Sequence, residues 1–230
     1  MEEIPSPPQG IDRIVRIPAD SLTLDGQVVI PSSTDGLVIF AHPSSAGRNS
    51  RRDQYMARML RSGGLSTMLV NLLSREEEIA EVPARDLRSD INLLAERLNA
   101  VTQWAIEQPE LEGKRLGYLA SSTGAAAAVL AAIQHPDEVF AIAAHGGRPD
   151  LAAEALPELR AYTLLIVGSK DEQTLERNQR AYELLRVEKD LRVIPDANLL
   201  FEEPGKLEEA TILAIAWFRR YLLSAETSLP

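Results

Sequence analysis

A chain of 230 residues, 45% hydrophobic and 25% charged, has the makeup of a globular protein large enough for one substantial core. Its net charge of −10 argues against nucleic acid or an anionic membrane as partner, and the absence of cysteine removes disulfides, thiolate metal sites and a cysteine nucleophile. No run nears the ~18 apolar residues of a membrane span, and the acidic, proline-rich first ten residues carry no apolar signal core. These features predict a soluble, cytoplasmic protein, with a flexible N-terminus over 1–10 and a single domain over 11–230.

Residues 11–18 and 21–30 predict two antiparallel strands, with turn chemistry at Pro18-Ala19-Asp20 and a second turn signal at Asp25-Gly26. The run 36–41 is continuously apolar, as in a strand buried on both faces. Helical spacing over 52–62 stops at Gly63-Gly64, and a strand follows over 66–70. Glu76, Glu77 and Glu78, with Pro83, predict a solvated loop, and a long amphipathic helix spans about 86–108. Beyond it strands over 115–120, 138–144, 163–168 and 191–195 alternate with helices over 124–134, 150–156, 174–187 and 206–225. Two antiparallel strands leading into repeated βα units imply an α/β fold: a mostly parallel twisted sheet of about eight strands with helices on both faces.

The most informative stretch is Gly117-Tyr118-Leu119-Ala120-Ser121-Ser122-Thr123-Gly124, where an apolar strand breaks at serine and a helix of small residues begins at once. This is the pattern of a nucleophile elbow, in which a serine at a tight strand-to-helix turn projects above the sheet and faces backbone N–H groups. Ala120 stands where the G-x-S-x-G form has its first glycine, so Ser122 is in register. An ordinary strand-turn-helix with Ser122 as helix cap reads from the same residues.

The whole organisation resembles the α/β-hydrolase superfamily, and its dienelactone-hydrolase-like branch in particular. The resemblance rests on Phe40-Ala41-His42, on Ser122-Thr123-Gly124-Ala125-Ala126 and on Gly146-Gly147-Arg148-Pro149-Asp150. It continues through 163–168 with Asp171, and through Leu200-Phe201-Glu202-Glu203-Pro204-Gly205. It implies that Ser122 attacks an ester carbonyl, that Asp171 is the acid orienting a histidine, and that the Thr123 N–H is one oxyanion donor. Ser122 is then expected in the largest polar-lined pocket.

Several positions depart from the family pattern. Pro43 and Ser45 replace glycines of the oxyanion loop, and proline has no N–H, which moves the second donor to Ser44 or a neighbour. Asn71 ends a strand where aspartate is expected, and Ala144-His145 replaces a Ser-Arg pair. The largest departure is Leu199, which occupies the place of the base histidine and cannot accept a proton. Departures gathered at strand ends point to a respecified site, natural or engineered.

Three histidines compete for the vacant role. His135 ends the helix behind the elbow, where a helix dipole favours it. His42 stands at the mouth of the third strand, and reads as loop scaffold or as base. His145 lies at the carboxyl end of a strand expected between those of Ser122 and Asp171, at the open end of the sheet with little packing, and reads as base or as a polar loop residue. Arg48, Arg51 and Arg52 read as a surface group. Neither G-x-G-x-x-G nor a P-loop pattern occurs, and three scattered histidines give no metal-ligand spacing, so no cofactor and no metal are expected. Two readings remain at this level. One is a serine esterase acting on a small-molecule substrate, and the other is an inactive pocket protein on a hydrolase scaffold.

Overall fold

The computed structural model describes residues 10–32, 34–42, 50–79 and 87–223. The expectations at residues 1–9, Pro43, Ser44, Ser45, Arg48, Pro83 and Asp86 lie outside the described residues, as does the end of the last helix beyond residue 223.

Strands β1 (Ile11–Ala19) and β2 (Leu22–Ile30) pair antiparallel along their full length. The turn falls at Asp20-Ser21; Asp25-Gly26, expected as a turn, lies inside β2, where Gly26 pairs with Val15 on one side and Val70 on the other. A Cβ at Gly26 would meet the Leu69 carbonyl oxygen at 3.2 Å, so the missing side chain serves close strand approach rather than reversal. Next come β3 (Gly36–Ala41), helix α1 (Arg51–Ser62), β4 (Ser66–Val70), the short α2 (Arg75–Ile79) and α3 (Ile91–Ile106). The glutamate run expected as a loop falls in α2, where Glu77 pairs with the buried Arg97.

The second half contains β5 (Arg115–Ser122), α4 (Gly124–Gln134), β6 (Val139–Gly147), β7 (Tyr162–Gly168), α5 (Glu172–Leu184), β8 (Lys189–Ile194) and α6 (Lys206–Leu222). The expected helix over 150–156 is two short 3-10 turns, Pro149–Ala152 and Leu156–Glu158. The eight strands form one sheet in the order β1-β2-β4-β3-β5-β6-β7-β8, antiparallel at β1, β2 and β4 and parallel from β4 to β8.

Alternation along each parallel strand divides the core into two layers. Leu37, Ile39 and Ala41 join α3 and α4 on one face, whereas Val38 and Phe40 join α1 and α6 on the other. The alanines of α4 let it lie close over the sheet, and Gly117 does the same opposite: a Cβ there would meet the Phe218 ring at 2.8 Å. The parallel strands β3, β5 and β6 thus end side by side, and their carboxyl ends carry His42, Ser122 and His145. No helix among the described residues is long and apolar enough to cross a membrane.

Candidate active site

Ser122 is the last residue of β5 and has φ +49°, a left-handed conformation that a non-glycine residue rarely adopts. Its carbonyl accepts from the Arg148 N–H at 2.9 Å, which locks the turn against the end of β6. The side chain is exposed at the apex, and α4 begins two residues later. Strain held by the surrounding structure in this way is a feature of functional turns.

Ser122 opens into a cavity of about 250 Å³ lined also by His42, Arg52, Asp53, His145 and Leu199. It is not the largest hollow: a neighbouring groove of about 680 Å³ runs between α1 and the start of α6, and Arg52 and Leu200 wall both.

His42 follows β3 and is 4% exposed. Its Nδ1 lies 3.0 Å from Oδ2 of the equally buried Asp53, in the first turn of α1. Ser50 caps that helix by accepting from the Asp53 N–H at 3.2 Å, which fixes the backbone that carries the carboxylate. A carboxylate only accepts, so Nδ1 of His42 is the donor, and Nε2 is buried with no hydrogen-bond partner among the described residues.

His145 is 2% exposed within β6, against the expectation of a lightly packed residue, because the strand runs on to Gly147 and the ring packs against both His42 and Phe201. Arg52, expected at the surface, donates from Nη2 to His145 Nδ1 at 3.2 Å and from Nη1 to the Leu200 carbonyl at 2.5 Å. A guanidinium has no acceptor, so His145 Nδ1 carries the lone pair and the proton sits on Nε2. Burial, with Arg52 and His42 beside it, holds the His145 pKa well below the usual imidazole range. Burial also lowers Arg52, against the pull of Asp53 and Glu202.

The other expected residues are spread around this cluster. Leu199 lines the cavity, 45% exposed, and its carbonyl lies over Gly146, where a Cβ would meet it at 2.7 Å. Gly146 has φ +57°, which suits only glycine without strain. Asp171 caps α5, with Oδ1 accepting from the Thr174 N–H at 3.1 Å, and does not line the cavity. Its Oδ2 is buried without a partner among the described residues. Ala120 is fully buried in the sheet between Ala41 and Ala144, and Thr123 precedes α4 with its hydroxyl on the Arg88 carbonyl at 2.6 Å. Asn71 donates its N–H to the Asp25 carbonyl beyond the end of β4, and neither it nor His135, the C-cap of α4, lines the cavity.

Asp53 was absent from the sequence expectations. Its local signal, Ser50 three residues before an aspartate, is that of a helix start. Among the described residues, no group of three histidine, aspartate or glutamate side chains is placed to hold a metal ion.

A mostly parallel eight-stranded sheet, helices on both faces and a strained serine at the β5–α4 turn define an α/β-hydrolase. A dienelactone hydrolase from Anabaena variabilis, known as a crystal structure, is 43% identical. It superposes with a TM-score of 0.89 over 93% of this chain and 99% of its own. The chain belongs to the dienelactone hydrolase-like family of α/β-hydrolases. A dienelactone hydrolase-like promiscuous phosphotriesterase from metagenomic libraries shares the fold at 16% identity and a TM-score of 0.73, covering 94% of this chain and 99% of its own. Proteins of Mycobacterium tuberculosis strains H37Rv and CDC 1551, each described as a "putative phosphoribosyl transferase", are 42% identical over 211 residues. That match takes in 92% of this chain but 47% of theirs, so the chain spans about half the length of these curated relatives. No protein-family model matches the chain.

Proposed function

We propose that this chain hydrolyses esters or related acyl compounds, with Ser122 as nucleophile and His42, oriented by Asp53, as general base. The observation that carries this reading is the His42–Asp53 pair: the His42 ring lines the same cavity as Ser122, and its Nε2 has no partner among the described residues. In this reading Ser122 Oγ attacks the substrate carbonyl while its proton passes to His42 Nε2. Asp53 stabilises the resulting imidazolium and holds the ring in the required tautomer. The tetrahedral intermediate collapses, the alcohol leaves with the proton from His42, and water repeats the sequence to free the acid and Ser122. Asp171 keeps the family position of the acid but has Leu199 where its histidine would stand. A small-molecule substrate, the absence of a cofactor and the single-domain organisation belong to the same proposal. The transferase named for the mycobacterial relatives is not carried over, since it belongs to proteins about twice as long.

Leu199, and an Asp171 Oδ2 without a partner among the described residues, favour a second reading, a pocket protein that binds a small molecule without turnover. Turnover of p-nitrophenyl acetate and labelling by a fluorophosphonate probe decide between the two. The enzyme reading expects probe mass on Ser122 and loss of both signals in Ser122→Ala and His42→Ala. Equal turnover in the parent and both variants would overturn it, and no turnover or label in the parent would favour the pocket protein.

A further inference from the structure

The two imidazoles that line the cavity have opposite hydrogen-bonding character. His42 gives its proton to Asp53 and keeps a lone pair at Nε2; His145 accepts from Arg52 at Nδ1 and keeps an N–H at Nε2. Their ring centroids are 5.4 Å apart, edge to face, and both Nε2 atoms are buried without a partner among the described residues. A buried N–H with no acceptor is unfavourable until an acceptor arrives. In the same cavity Ser122 would present a carbonyl carbon whose oxygen gains negative charge under attack.

We infer that His145, its tautomer set by Arg52, is the side-chain donor to that oxygen, a neutral imidazole acting as one half of an oxyanion hole. This rests on the reading of Ser122 as nucleophile. The proline at position 43, a glycine in the family pattern, has no N–H, and the Thr123 N–H is the other donor of that pattern. As the Ser122 Oγ–carbon bond forms, the carbonyl π pair moves onto oxygen and the serine proton goes to His42 Nε2. His145 keeps its own proton throughout and lends a hydrogen bond, and the oxygen's pair re-forms the carbonyl as the bond to the leaving alcohol breaks. Arg52 acts through His145 as a positioning residue. Its guanidinium holds Nδ1 as an acceptor and polarises the ring toward the developing charge, while its bond to the Leu200 carbonyl fixes the guanidinium itself. The charged and titratable groups facing His145 are Arg52 on α1 and His42 after β3. A neutral imidazole beside a cation suits donation, whereas a base needs the opposite tautomer.

The test combines ring spectra with kinetics. In histidine-¹⁵N-labelled protein, His145 should show the Nε2–H neutral tautomer from pH 6 to 8, and Arg52→Met should change that pattern. His145→Phe keeps ring packing but no donor, and should lower kcat for p-nitrophenyl acetate on the order of 10²–10³-fold with a much smaller change in KM. His145→Gln, which retains an N–H, should recover part of the loss and serves as the folded control. A charged ring or an Nδ1–H tautomer for His145 in the parent would overturn the inference. So would parental kcat in His145→Phe while Ser122→Ala is inactive, and that result leaves the nucleophile standing. Parental turnover in Ser122→Ala removes the nucleophile, and with it this role for His145.

Discussion

Asp53 Oδ2 sits 3.0 Å from His42 Nδ1, with each side chain 5% exposed, so the carboxylate at the start of α1 sets the tautomer of the imidazole at the end of β3. Removing water strengthens that bond and leaves Nε2, buried and without a partner among the described residues, as the acceptor of a ring that lines the serine cavity.

The Asp53→Asn variant is nearly isosteric but replaces an obligate acceptor with an amide that can also donate. It should lower kcat for activated esters on the order of 10²–10⁴-fold, because the amide permits the wrong tautomer of His42. Steady-state kinetics beside a thermal melt check this, and unchanged kcat in a folded variant would show that Asp53 does not orient the base.

Leu199→His should raise ester turnover at least tenfold, with the ~10²–10⁴-fold of general-base assistance as the ceiling. The new imidazole would take as its acceptor the buried Asp171 Oδ2, which has no partner among the described residues, and Leu199 is exposed enough to be replaced with little packing loss. The same change should rescue His42→Ala. No gain in either background would mean that the family's usual triad cannot be rebuilt in this cavity.

Ser122 holds φ +49° without being glycine, at a cost on the order of 1–2 kcal/mol. Ser122→Gly should therefore unfold at higher urea, gaining about 1 kcal/mol, and lose turnover completely. A destabilised Ser122→Gly would indicate that the serine side chain contributes more contact than its exposed position suggests.

The buried neutral state of His145 makes stability depend on pH with a definite sign. The unfolded chain binds a proton at that residue near pH ~6.5 and the folded chain resists it, so its contribution is complete above ~6.5 and is lost as pH falls below it. The limiting slope is about 1.4 kcal/mol per pH unit for one proton. His145→Gln should flatten the fall in urea midpoint between pH 6.5 and 5. His135, also lowered by burial, remains in both proteins and keeps a residual slope of the same sign. The depressed carboxyls of Glu77 and Glu203 act only at lower pH, where acid protonates them. Parallel curves for parent and variant would show that His145 titrates normally in the folded state.

The strands at 36–41 and 66–70 were legible to the residue, because a parallel strand buried on both faces is a short apolar run bounded by breakers. The elbow was legible for the same local reason, as strand, small residues and helix adjoin in sequence. Asp25-Gly26 misled, since a glycine required by the neighbouring strand β4 looks like a turn when only one strand is considered. The short helix at 150–156 misled as well, since the chain there makes two separate 3-10 turns. Arg52 and His145 are 93 positions apart, and no spacing rule connects them.

By itself the sequence determined the α/β architecture, the register of Ser122 at the turn and the absence of cysteine chemistry. These follow from periodicity and residue type, which act over a few neighbouring positions. Only the tertiary structure decided the order β4-β3-β5-β6, which brings His42, Ser122 and His145 together at adjacent strand ends. It also placed the start of α1 beside them, so that Asp53 makes one imidazole an acceptor and Arg52 makes the other a donor. Tautomer and charge are set by what lies across a buried contact, and buried contacts form between segments far apart in the chain.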